Sequence, residues 1–189
     1  MKCTNVLKSL DWCQGKAVRP GIKRRAYYVA ATDIVSWPEL EKDELGRVTS
    51  AEYNGKFVLA EGVKWQPIDH ISDKAEFKSE SQGEYPSQTF KNTATLVHPG
   101  IGPEAAAATA AMLNTDIVAL VEDMDGRFRV IGSPYYEAKA TTSRDNGQGP
   151  TGTAGTTITI EASDLVDSPF YSGEIVTEDG TINEAGTGA

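Results

Sequence analysis

Aliphatic residues are scarce in this chain. Leu, Ile, Val and Phe supply 38 of its 189 residues, about a fifth and close to the level at which a single-chain core becomes thin. A fold this lean is expected to complete its burial against other copies of itself. No apolar run approaches the roughly 18–20 residues of a membrane span. The opening MKCTNVLKSLDW lacks the long uncharged core of a secretory signal. Basic residues are also few, 18 Lys and Arg against 27 Asp and Glu, for a net charge of −9. That balance argues against binding nucleic acid by neutralising phosphate; the one basic cluster, Lys23-Arg24-Arg25, is short and enters a predicted strand. Two cysteines, Cys3 and Cys13, read as free thiols, with pairing open to them in an oxidising setting. With only His70 and His98 besides, nothing has metal-site spacing, and no metal or cofactor is expected.

What is present is mostly strand. Residues 1–21 read as an N-terminal arm ending at Pro20-Gly21, residues 22–175 as a single β domain, and residues 176–189 as a flexible C-terminal tail. Arg24 to Ala31 is rich in aromatic and β-branched types and predicts a strand. Residues 39–56 read as a long polar loop or exposed hairpin. Phe57 to Glu61 and Lys64 to Ile71 read as two strands around a Glu61-Gly62 turn. Further on, Ala75 and Phe77 alternate with Glu76, Lys78 and Glu80; Phe90, Ala94 and Leu96 alternate with Lys91, Thr93 and Thr95. Period-two patterns with one polar face point to antiparallel sheets. Asp116 to Glu122 and Arg127 to Gly132 form a hairpin pattern around Asp125-Gly126. Loop 143–156 precedes a last clear alternation, Ile158 and Ile160 against Thr157, Thr159 and Glu161.

The one convincing helix spans about 103–114. Pro103 suits its first position, Glu104 complements the positive end of the macrodipole, and EAAAATAAML follows. The fold class is therefore mainly β: an antiparallel β-sandwich or partly rolled barrel with one short flanking helix.

Apparent chemical motifs dissolve on inspection. Gly147-Gln148-Gly149-Pro150-Thr151-Gly152 matches G-x-G-x-x-G, yet Pro150 removes an N–H and a Thr-Ile-Thr-Ile strand follows where a dinucleotide site needs a helix. Asp123-x-Asp125-Gly126 opens like a calcium loop, but Arg127, Arg129 and Ile131 replace the later oxygen ligands. Neither His70 nor His98 has a nucleophile and an orienting carboxylate nearby in sequence. No catalytic activity is expected. Trp37, Trp65, Phe170 and Tyr171 lie near predicted strand ends or loops and are candidate subunit-interface residues, with core packing open to them and sugar stacking the alternative.

The segment from Trp65 to Gly100, containing SESQGEYPSQTF, is followed by the Ala-rich helix, the Asp125-Gly126 hairpin and TTITIEASD…PFYSG. In that order, over about two-thirds of the chain, it resembles the tail-tube-like virion proteins of prophages, similar to inner-tube subunits of contractile injection systems. The resemblance implies a non-enzymatic subunit that forms hexameric rings stacking into a tube. Its partners would be its own copies and other tail proteins (sheath, tape measure, baseplate or terminator), with DNA as unbound cargo. Its place would be the virion tail, assembled in the bacterial host cytoplasm. The polar strand faces Glu76, Lys78, Glu80 and Thr157, Thr159, Glu161 are then candidates for an acidic, polar lumen. A tail terminator or head–tail connector subunit is a related alternative; a β-sandwich binding glycan or a surface partner through Trp37, Trp65 or Tyr171 is a more distant one.

Overall fold

A computed structural model describes residues 7–183. Residues 7–20 form neither strand nor helix and are exposed throughout, as expected of an arm. Cys13 is exposed within it; Cys3 lies outside the described residues, and with it any pairing of the two.

The body begins with β1 (Ile22–Ala30), β2 (Ile34–Ser36), β3 (Glu39–Lys42), β4 (Val48–Asn54), β5 (Val58–Leu59) and β6 (Gln66–Asp69). Next come β7 (Glu76–Gln82), β8 (Thr89–His98), the helix α1 (Pro103–Met112), β9 (Ile117–Asp123) and β10 (Phe128–Ile131). The chain continues with β11 (Lys139–Asp145), β12 (Gly155–Asp164), β13 (Phe170–Tyr171), β14 (Ile175–Thr177) and β15 (Gly180–Ile182). A four-stranded sheet runs β11-β12-β8-β7 and a seven-stranded sheet runs β3-β4-β13-β10-β9-β1-β6. Neither closes into a barrel. The architecture is a β-sandwich with one helix.

The two sheets face each other across a core of Ala94, Leu96, Ile158 and Ile160 from one and Ala26, Ile117, Ala119 and Val121 from the other. The far side of the seven-stranded sheet carries a second core, built from Tyr27, Val118, Leu120, Phe128, Val130 and a group of aromatics. Strand β9 therefore buries both of its faces, which is why its sequence, Ile117-Val118-Ala119-Leu120-Val121, is an unbroken apolar run.

Several local readings change. The two strands expected to pair about Glu61-Gly62 are not partners: β5 pairs with β2, and β6 pairs with β1. Pro67 lies in β6 at the sheet edge, the position where a residue without an N–H is tolerated. The polar stretch 39–56 is a hairpin, turned where Asp43 accepts the Leu45 and Arg47 N–H groups, each at 2.9 Å. Its strand β4 pairs in parallel with β13, an exception within an otherwise antiparallel sheet.

The helix ends at Met112, short of residue 114, where Asn114 turns left-handed at φ 61°. Only Met112 of the helix is buried, because alanine on every side leaves no apolar stripe to direct it inward. The expected tail begins as structure. β14 and β15 form a hairpin with Thr177 at 7 % exposure, and residues 184–189 lie outside the described residues.

Candidate functional site

The six lumen candidates converge. Glu76, Lys78 and Glu80 of β7 and Thr157, Thr159 and Glu161 of β12 all occupy the outward face of the four-stranded sheet. The register makes this explicit. One row across the strands reads Thr141, Thr159, Thr95, Glu76; the next reads Lys139, Glu161, Thr93, Lys78. At about 4.8 Å per strand and 3.4 Å per residue, the face is about 14 Å wide and up to about 33 Å long.

Its charge corrects one expectation. Glu76, Glu80, Glu161 and Asp145 are set against Lys78, Lys91 and Lys139, leaving a single net negative charge on the face. Lys91 and Glu161 pair at 2.7 Å with both side chains 43 % exposed, a contact worth little in water. The face is polar and rich in hydroxyls, not strongly acidic, because each strand that brings a carboxylate also brings or adjoins a lysine. Most of the chain's −9 lies elsewhere.

Both edges of this sheet are open. Among the described residues, β7 pairs only with β8 and β11 only with β12. The four strands alternate in direction, so β7 and β11 run opposite ways. The two connecting turns sit at opposite ends: 83–88 joins β7 to β8, and 146–154 joins β11 to β12. Tyr85 stands 90 % exposed at the first of these tips.

The aromatic candidates divide. Trp65 is 1 % exposed and Tyr171 2 % exposed; as interface residues both are corrected to core. Phe57 is their hub, with ring centroids 5.4 Å from Trp65, 4.9 Å from Tyr171, 5.5 Å from Trp37 and 6.2 Å from Tyr53. The Tyr171 hydroxyl accepts the Phe57 N–H at 3.1 Å and donates to the Glu174 carbonyl at 2.9 Å, which is how a phenol is satisfied in an apolar setting. Phe170 is half-buried on the sheet, its ring 4.3 Å from the Arg129 guanidinium and 4.7 Å from that of Arg127. Trp37 is half-buried beside a cavity whose lining also includes Tyr53, Tyr135 and Asp164.

Two buried titratable groups stand out. His70 is 5 % exposed, neither ring nitrogen has a hydrogen-bond partner among the described residues, and desolvation pushes its pKa down. Among the described residues no hydroxyl or thiol nucleophile bonds to it, and burial favours its neutral form. His98 Nδ1 lies 2.7 Å from the Asp69 carbonyl. Asp164, at the end of β12, is 4 % exposed, and burial raises its pKa against the opposing pull of the Leu165 and Val166 N–H groups. Sequence reasoning passed over Asp164. The signal was present: it shares the inward parity of Ile158, Ile160 and Ala162, where a carboxylate is out of place. Among the described residues, no group of three or more His, Cys, Asp or Glu could hold a metal ion.

Comparison with protein-family models, with curated proteins and with solved structures finds no match to this chain.

Proposed function

We propose that the chain is a structural virion protein, a tail tube subunit whose four-stranded sheet lines the channel. One observation carries the reading: the residues singled out as channel-lining lie together on one exposed polar face, on a sheet whose two edges, of opposite direction, are unpaired among the described residues. An antiparallel sheet with an even number of strands can join head to tail, β7 of one copy beside β11 of the next, and remain antiparallel across every junction. Such joining removes the exposed edges that invite uncontrolled pairing, and a head-to-tail contact closes into a ring. Six copies would supply about 24 strands, a circumference of about 115 Å and a width of about 37 Å between backbones. The turns at the two sheet ends would then meet the neighbouring rings.

On this reading the passage of DNA rests on a near-neutral hydroxyl-rich wall that offers few lysines for phosphate to release counterions against. The glycan alternative loses two of its three aromatics, since Trp65 and Tyr171 are core residues. A terminator or connector role shares the ring and differs in stacking.

The test is assembly. Concentrated protein is examined by sedimentation and negative-stain electron microscopy, and a Lys78→Cys, Thr141→Cys double variant is oxidised. Stacked rings with β7–β11 cross-links between protomers support the proposal, and single unstacked rings favour a terminator or connector. A chain monomeric at every concentration, or assemblies cross-linked only through other surfaces, refutes it.

A further inference from the structure

Between β2, the β3–β4 hairpin, the loop after β10 and the end of β12 lies a cavity of about 740 Å³, within the size range of small-ligand sites. Val35, Trp37, Leu40, Val48, Tyr135 and Leu165 supply apolar and aromatic wall. Several keep large exposed surface, with Val35 at 70 %, Tyr135 at 68 % and Leu165 at 53 %, so the wall is accessible from solvent.

Asp164 is the unusual member of the lining. Its Oδ1 accepts the Leu165 N–H at 2.6 Å, while its buried Oδ2 has no hydrogen-bond partner among the described residues. A carboxyl oxygen left unpaired in an apolar setting is costly, and a donor that reached it would be correspondingly favoured. The other charged groups of the lining are Glu39, Glu41 and Lys42, so carboxylates outnumber cations three to one. Lys42 forms no ion pair with Asp164 among the described residues; its Nζ sits 5.7 Å from the centroid of the Tyr135 ring, a distance at which an aromatic face attracts a cation.

We propose that this cavity binds a cationic head on an apolar stem, an alkylammonium or alkylguanidinium group that donates to Asp164 Oδ2 while its stem lies against Trp37 and Tyr135. An anion meets the excess of carboxylates, and a ligand without a donor leaves Oδ2 unanswered. A neutral donor answers Oδ2 but not the surplus of carboxylates; a cationic donor on an apolar stem answers both. The site is independent of the tube reading, since it lies within one protomer. The head can come from a free diamine or from a lysine or arginine of a second copy.

The probes are n-butylammonium and 1,4-diaminobutane, titrated at constant ionic strength into the full chain. Amide NMR shifts and tryptophan fluorescence are the readouts, with n-butanol as the uncharged control. Saturable shifts at Trp37, Tyr135 and Leu165 are expected, at least tenfold weaker in Asp164→Asn and in Trp37→Leu, and absent with n-butanol. Direct ¹³C titration of the Asp164 carboxyl in the unmutated protein adds a readout that needs no folded variant: saturating amine lowers its apparent pKa. An unmoved carboxyl pKa, no saturable shift, or equal binding of n-butanol overturns the proposal. Sedimentation of the same samples separates the sources. Binding without a change of mass marks a free amine, and amine that dissociates a self-associated species marks a basic side chain of a second copy.

Discussion

Replacing Phe57 with alanine is the sharpest probe of how this chain stays folded. Phe57 lies in the connection between β4 and the two-residue β5, outside any strand, yet it is 6 % exposed and has four aromatic ring centroids between 4.9 and 6.2 Å from its own. Truncating a buried phenylalanine costs about 3–5 kcal/mol from lost transfer energy and the cavity left behind. The upper part of that range is expected here, since Trp65 and Tyr171 are anchored by backbone and hydroxyl hydrogen bonds and cannot collapse into the gap. Phe57→Leu keeps most of the volume and forfeits the ring contacts, so its cost should be about 1–2 kcal/mol, in line with the 0.5–1.5 kcal/mol of an aromatic pair. Urea unfolding followed by fluorescence and circular dichroism measures both. At a slope of about 2 kcal/mol per molar, the alanine variant should lose about 2 M of midpoint with the slope unchanged. A loss under about 1 kcal/mol for Phe57→Ala, or a leucine variant as damaged as the alanine one, would refute the claim that ring packing holds this layer.

Other perturbations have calculable signs. Gly132 has φ 105°, and a Cβ there would stand 3.1 Å from the Ile117 carbonyl oxygen, so Gly132→Ala should cost more than about 1 kcal/mol in thermal or urea unfolding. His70 is held neutral in the fold, with its pKa below the ordinary value. The unfolded chain therefore takes up the proton first, and stability should fall as pH drops below about 6.5, at no more than about 1.4 kcal/mol per pH unit. His70→Leu should flatten the urea midpoint between pH 7 and 5. Asp164 has the opposite sign: its pKa is raised, so its ionisation costs the fold stability as pH rises from the unfolded value of about 3.9 through the folded one. Asp164→Asn, which keeps an oxygen for the Leu165 N–H, should raise the melting temperature at pH 7 while weakening amine binding.

The legible part of the fold was the part where periodicity extends. Strands β7, β8 and β12 are 7, 10 and 10 residues long, and their alternation alone separates inner from outer faces, including all six lumen candidates. Strand β9 and the Pro103 helix start were equally readable. Partner choice was not. β5 and β13 are two residues each, too few for a period, and nothing local states that one pairs with β2 and the other inserts between β4 and β10. The burial of Trp65 and Tyr171 follows from that long-range routing, which lays the β2–β5 pair and the β14–β15 hairpin against the second face of the large sheet. The cavity around Asp164 has the same origin, since its lining comes from positions 35 to 165.

The insertion of β13 has a consequence in time. Among the described residues the β3–β4 hairpin joins the rest of the large sheet only through Phe170 and Tyr171, and the Phe57 N–H waits for the Tyr171 hydroxyl. Residues 39–57 therefore leave the ribosome more than a hundred positions ahead of the strand that seats them, several seconds or more at about 5–20 residues per second. During that interval the nascent chain has an unfinished flank and one layer of aromatics uncovered. Residues 170–182 work as a clasp, and a protein truncated before Phe170 should be held on chaperones, not released as a slightly shorter domain.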